Sequence, residues 1–302
     1  MISTERLSVS YRRGLARGKL KALDGVTLDV KEGDFFALLG QNGAGKSTAM
    51  SCFLGLLKPT SGRVTVLGQT PAPGAAMFRD VAFLPEEPNY HGYLTVVEAV
   101  TYYGRLYGNA YAQGRRDEVL EKLGLAAYRD LKVDKCSKGM KQKVGIAQCL
   151  LHEPRLLFLD EPMRGLDPVA VKDFRDVLVE MHARGATIVM NSHILAEVER
   201  VATRAAVLDR GKLLRIDSVS NLRKVAGDSY EFEIEPAAAF PDYVTDLHEA
   251  AGRLRGVIPA ERLWDFLAFV KESGGALVSC AKKQASLEES FFAIVKGEPA
   301  DA

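Results

Sequence analysis

The residues of this chain best suited to chemistry are a lysine, a serine and two adjacent carboxylates. Lys46 and Ser47 belong to the run Gly40-Gln41-Asn42-Gly43-Ala44-Gly45-Lys46-Ser47-Thr48, which fits the phosphate-binding pattern G-x-x-x-x-G-K-[ST]. Glycines let a backbone wrap a phosphate with its N–H groups inward, and a helix N-terminus beyond them adds partial positive charge. In that arrangement Lys46 reaches the β/γ-phosphates and Ser47 offers its hydroxyl to a magnesium ion. Asp160 and Glu161 end the apolar run Leu156-Leu157-Phe158-Leu159. Asp160 has the hard oxygen that magnesium prefers, and Glu161 is placed to orient or deprotonate a water. Together these residues imply a bound nucleoside triphosphate.

Such residues need rigid elements to hold them. Phe35-Phe36-Ala37-Leu38-Leu39 has the length of a buried strand, and Ala49 to Leu54 reads as the first turns of an apolar helix, the strand–loop–helix context the pattern requires. Leu156 to Leu159 fits a strand buried on both faces of a parallel sheet. Its carboxylates then lie at the C-terminal end, where open α/β sheets place ligands. Ala186 to Met190 is another such strand, ended by Asn191-Ser192-His193. His193 gains weight from that position, whereas His91, His152, His182 and His248 read as ordinary.

Around this core, Arg6 to Tyr11 and Leu23 to Val30 alternate like half-buried strands, separated by a basic loop from Arg12 to Lys21. Tyr11 ends its strand ahead of the phosphate loop. It can stack on a base or be a surface tyrosine, and spacing alone favours the second. Val81 to Leu84 is a short strand stopped by Pro85, and Glu86 to Tyr93 a surface loop. Thr95 with Glu98 resembles a capping box. Helical patterns follow through Tyr107 and from Arg115 to Leu123, an inserted helical subdomain over about residues 95–150. Ser137 and Gly139 open the apolar helix from Val144 to Leu151, as a cap or as a second anion site. Ala205 to Asp209 and Lys212 to Ile216 make a hairpin around Arg210-Gly211.

With 302 residues, 47% apolar and 26% charged, the chain can bury a sizeable core. A net charge of +1 argues against a strongly electrostatic nucleic-acid partner, and none is expected. No secretory signal opens the chain, and no apolar run approaches the roughly 18 residues of a membrane span. Cys52, Cys136, Cys149 and Cys280 form no C-x-x-C pair and read as structural thiols of a reducing compartment.

From about Val225 the pattern changes. Tyr230 to Glu235 alternates as a strand, Tyr243 to Ala251 and Glu261 to Glu272 carry helical spacing, Ala276 to Cys280 is a second strand, and Leu287 to Val295 a last helix. This predicts a small α+β domain, read as a packing or dimerisation appendage ahead of an effector-binding domain. The helix around Trp264 reads as core.

The order of these motifs resembles the nucleotide-binding subunits of ATP-binding-cassette transporters over about residues 4–225. Gly40 to Thr48 matches Walker A, Leu156 to Glu161 matches Walker B with its following glutamate, and Gly165-Leu166-Asp167 the D-loop. Cys136-Ser137-Lys138-Gly139-Met140 stands at the LSGGQ signature, Glu86 at the Q-loop glutamine, His193 at the switch histidine. The resemblance implies an α/β fold: a P-loop NTPase core of ABC ATPase type with an inserted helical subdomain, residues 1–225, and a C-terminal α+β accessory domain, 226–302. It implies ATP and Mg2+ as cofactors. Nucleotide contacts fall to Tyr11, now as the adenine-stacking aromatic, and to Gly40, Asn42, Gly43, Ala44, Gly45, Lys46, Ser47, Thr48, Glu86, Ser137 and Gly139. Ser47, Asp160 and Glu86 hold the metal; Glu161, His193 and Lys46 are catalytic. Ser137 and Gly139 act on the ATP of a second nucleotide-binding subunit, in a homo- or heterodimer.

The implied activity is ATP hydrolysis that closes and releases this dimer to power a separate transmembrane permease, with the subunit cytoplasmic and peripheral on the inner face of the cell membrane. The loop from Glu86 to Tyr93 faces the permease. Leu84-Pro85-Glu86-Glu87-Pro88, the Ser137 to Gln142 signature and Ala285 to Phe292 resemble the branch that exports drugs, sodium, lipids or peptides. A soluble ATP-driven switch on a non-membrane partner is the alternative. Three departures stand out: Lys138 and Met140 in the signature, Glu86 for glutamine, and Arg164 where serine is common.

Overall fold

The computed structural model describes residues 1–12, 19–106, 113–226, 228–235, 240–250, 252–283 and 285–297. The chain divides into two compact units, Met1–Asp217 and Ser218–Ala302.

The first unit is built on a six-stranded sheet. Phe35–Leu39 pairs in parallel with Thr187–Asn191 on one side and Arg204–Asp209 on the other. Leu156–Asp160 runs parallel between Thr187–Asn191 and Val81–Leu84. Lys212–Ser218 completes the sheet beside Arg204–Asp209, after the turn at Arg210 and Gly211. Every residue of Phe35–Leu39 and Thr187–Asn191 is buried, as continuous apolar runs require when both faces are covered. The shared direction of these strands delivers the residues after Leu39, Leu84, Asp160 and Asn191 to one edge.

A second, antiparallel sheet joins Ile2–Arg12 to Lys19–Val26, Asp29–Val30 and Ser61–Val66. Lys19 to Lys21, expected in a loop, belong to a strand, because Ser10 and Tyr11 pair with Lys21 and Leu20 and extend the hairpin. The alternation from Leu23 to Val30 is broken after Val26 and resumes at Asp29. Phe36, Leu38, Met50, Phe53 and Phe158 belong to the core that the two sheets share with the helix Lys46–Phe53.

The helical insertion holds Val96–Arg105, Gln113–Lys122 and Lys138–Leu151. Thr95 and Glu98 form the expected capping box. Tyr107, where the sequence extends the first helix, lies outside the described residues.

The second unit contains a four-stranded sheet in the order Thr245–Ala250, Arg253–Pro259, Ser229–Ile234, Leu277–Lys283, antiparallel throughout. Here the sequence reading is corrected. Tyr243 to Ala250 is not helical; Thr245–Ala250 is an edge strand returning through Gly252, whose φ is +76°. The helical spacing of Val244 and Leu247 is too short to outweigh pairing with Arg253–Pro259, and Leu247 stays exposed. Ala251, the last residue of that expected helix, lies outside the described residues. Leu263–Glu272 buries Phe266 and Val270 against Phe232, Ile234 and Ile258, while Trp264 turns outward, 77% exposed.

Phe158 is fully buried, with its ring 6.3 Å from that of Phe53. Phe158→Ala should destabilise the first unit by about 3–5 kcal/mol in denaturant unfolding. A cost below about 1 kcal/mol would contradict this packing.

Candidate functional site

The phosphate loop leaves the central strand of the sheet. A Cβ on Gly40 would lie 2.5 Å from the Leu208 carbonyl oxygen, and one on Gly45, at φ +105°, 2.6 Å from that of Ala22. Only glycine fits at either place. The helix Lys46–Phe53 follows directly. Lys46 Nζ donates to the carbonyls of Gly40 at 2.5 Å and Gln41 at 3.3 Å. Burial lowers the proton affinity of this amine, and the charges of Glu161 and Asp160 oppose that shift.

The second strand end supplies the carboxylates. Asp160 pairs in register with Asn191. Burial pushes its pKa up, the charge of Glu86 pushes the same way, and Lys46 works against both. Glu161 follows with φ +46°, a left-handed conformation that a non-glycine residue adopts at a cost of order 1 kcal/mol. Asn191 holds it there, accepting from the Glu161 N–H through its backbone oxygen at 3.1 Å and its side-chain Oδ1 at 2.9 Å. His193 Nδ1 donates to Glu161 Oε2 at 2.6 Å, and the His193 N–H to the same oxygen at 3.2 Å. A carboxylate only accepts, so Nδ1 carries the hydrogen of this bond, and Nε2 takes no part in it.

These groups open on one cavity of about 1050 Å³. Tyr11, Asn42 to Thr48, Glu86, Glu161 and His193 all line it. Gly40 and Asp160 lie behind that lining, linked to it by the Lys46–Gly40 bond and by Asp160's charge on Lys46. Ser137 and Gly139 do not line it. Ser137 instead caps Lys138–Leu151, its Oγ accepting from the Met140 N–H at 3.2 Å. Of the departures, Lys138 lies against the D-loop, with Nζ 3.1 Å from where a Gly165 Cβ would sit. Glu86 and Arg164 form an ion pair on the wall of the cavity.

Lys21, Arg210 and Asn191 were not singled out by sequence. Lys21 and Arg210 line the same cavity and bring positive charge to it, yet in the sequence they read only as loop and turn residues. Asn191 had one visible signal, its place at a strand end directly before Ser192 and His193.

The ABC transporter family model matches residues 23–164. An uncharacterized ABC transporter ATP-binding protein of Nostoc sp. is 36% identical over 97% of this chain and 89% of its own length. The chain belongs to the ATP-binding subunits of ABC transporters. The bacitracin transport ATP-binding protein BcrA of Bacillus licheniformis is 33% identical over 93% of this chain and 94% of its own length. Among solved structures, an ATP-binding cassette dimer in a post-hydrolysis state with ADP and Pi matches with a TM-score of 0.66 and 25% identity, over 72% of this chain and 98% of its own. The ATP-binding subunit of an ABC transporter matches at 0.64 and 31%, over 74% and 92%. As a member of this family, the subunit binds ATP and hydrolyses it for transport. Among the described residues no helix is long and apolar enough to cross a membrane.

A raised Asp160 pKa means that the folded chain holds the proton more tightly than the unfolded chain. The carboxylate therefore costs stability as pH rises from the ordinary carboxylate range through the raised folded-state pKa. Without nucleotide and metal, Asp160→Asn should melt above the parent at pH 7, with the gap closing as pH falls to 4. A lower melting temperature at pH 7 would contradict the desolvated carboxylate.

Proposed function

We propose that two copies of this chain enclose two ATP molecules and that hydrolysis there drives an exporter. Both halves of a composite site occur on one chain, so a two-fold axis would bring the Ser137 region of each copy to the cavity of the other. The surroundings of Gly139 support this. A Cβ there would meet nothing nearer than Ala170 Cβ at 3.7 Å and Leu166 Cδ2 at 3.8 Å, which is ordinary contact, so packing within the chain does not call for glycine.

Lys46 and the N–H groups of the phosphate loop would bind the β- and γ-phosphates, and Tyr11 the adenine. The donor set fits a magnesium ion: the Ser47 hydroxyl with the carboxylates of Asp160 and Glu86, hard oxygens of which Asp160 is desolvated beside a like charge. Magnesium would neutralise charge developing on the phosphoryl group. Glu161, held by Asn191 and His193, would orient and deprotonate the attacking water. His193 Nε2, carrying a hydrogen in the loaded site, would donate to the γ-phosphate, while Nδ1–H keeps Glu161 aimed. The observation that carries this assignment is the 2.6 Å bond between His193 and Glu161 on the wall of the phosphate-loop cavity.

Coupling to a permease would use the loop after Val81–Leu84. Glu86 lines the cavity, and the same loop ends in an aromatic group. His91 stacks with Tyr93 and Tyr103, and Tyr90 meets Tyr103 edge-on. Tyr93 and Tyr102 remain exposed at 69% and 46%, a surface suited to an amphipathic cytoplasmic helix of the membrane subunit. That helix would hold the subunit on the inner face of the cell membrane. The export direction is supported by relatives named for bacitracin transport, linearmycin resistance and fluoroquinolone export.

Glu161→Gln should bind ATP, accumulate as a dimer in gel filtration and lose on the order of 10²- to 10⁴-fold in turnover. Near-normal hydrolysis by this variant would remove Glu161 from the reaction.

A further inference from the structure

Glu86 and Arg164 are the two departures whose side chains meet. They are 78 residues apart in sequence and pair on the wall of the cavity. Each is tied to a different part of the site. The carbonyl of Glu86 accepts from Gln142 Nε2 at 2.9 Å, and Gln142 is fully buried on the helix that Ser137 caps. The N–H of Arg164 donates to the carbonyl of Glu161 at 3.1 Å, so Arg164 stands on the turn that leaves Glu161. The pair therefore links the loop that leads to the aromatic surface with the turn that carries Glu161.

The charges explain why the pair exists. A glutamine at position 86 would be neutral. Glu86 adds a negative charge near Asp160, in a cavity shaped to receive a triphosphate, so it needs a cation in either state of the site. Without a metal, Arg164 is that cation. The pair is half open to solvent, with side-chain exposures of 56% for Arg164 and 32% for Glu86, and such pairs contribute about 0–1 kcal/mol. It is cheap to break. A divalent cation bound between a carboxylate and phosphate oxygens is the stronger partner.

We propose that Arg164 is the resident counter-ion of Glu86 in the empty subunit and that the divalent cation arriving with ATP replaces it. Loading thereby releases the loop after Val81–Leu84 from the turn after Glu161. This rests on the reading that the metal of Mg·ATP is held by Glu86 with Ser47 and Asp160. Arg164 is a positioning residue in this scheme, acting through Glu86.

Binding of a fluorescent ATP analogue to the full chain, in Mg2+ and in EDTA, tests it by the ratio of the two Kd values. Arg164 competes with the metal, so Arg164→Ser should raise the Mg2+ advantage by about threefold to fivefold, the scale of a half-exposed ion pair. Arg164→Lys keeps the charge and should stay within about 1.5-fold of the parent ratio. In a Glu86→Gln background, Arg164→Ser should no longer move the ratio. A change of the same size in both backgrounds would mean that Arg164 acts on the phosphates directly and would overturn the proposal. So would an unchanged ratio in Arg164→Ser, or an Arg164→Lys ratio equal to that of Arg164→Ser. If the parent chain bound the analogue equally in both buffers, the metal reading itself would fail, and the exchange with it.

Discussion

Lys46 is 7% exposed, and its ammonium depends on the carbonyls of Gly40 and Gln41 and on the charges of Glu161 and Asp160. A buried charge is tolerable only when paired and hydrogen-bonded, and that requirement organises the first unit. The carboxylates must reach the lysine from the end of Leu156–Asp160, one strand beyond Thr187–Asn191, which parallel pairing achieves by ending the strands at one edge. Asp160 is itself desolvated, as the upward push on its pKa records.

The orientation of Glu161 is the second consequence. Its left-handed backbone is held by Asn191, and its side chain by His193, both from the adjoining strand end. The turn that begins there carries Arg164, which reaches Glu86 and through it the buried Gln142. The cavity is thus connected to the helical insertion by a short series of polar contacts.

Much of this was legible in the sequence because it depends on local rules. Gly40 to Thr48 announced its conformation through glycines that tolerate positive φ, the buried strands through unbroken apolar runs, and the Thr95–Glu98 cap through a fixed spacing. Contacts between distant segments carried no such mark. Arg164 and Glu86 each looked like an isolated oddity, since nothing in sequence says that two positions 78 residues apart will meet. Asn191 looked like a strand terminus until its register beside Asp160 fixed its task. Thr245–Ala250 failed for the opposite reason: a local helical spacing was present, but pairing with Arg253–Pro259 prevailed. Trp264 shows the same limit, because a helix predicted to serve the core can still turn its largest side chain to solvent.

In the proposed dimer, the cavity of one copy is completed by Ser137 of the other. Lys46→Ala disables the cavity, and Ser137→Asp keeps the helix cap while setting a carboxylate against the incoming γ-phosphate. Each variant alone should be inactive, but a mixed dimer holds one site with both Lys46 and Ser137 intact. Mixing equal amounts of the two should restore ATP hydrolysis to about a quarter of the parent rate, the random-pairing value for a two-fold dimer. No recovery on mixing, or full activity of Ser137→Asp alone, would contradict it.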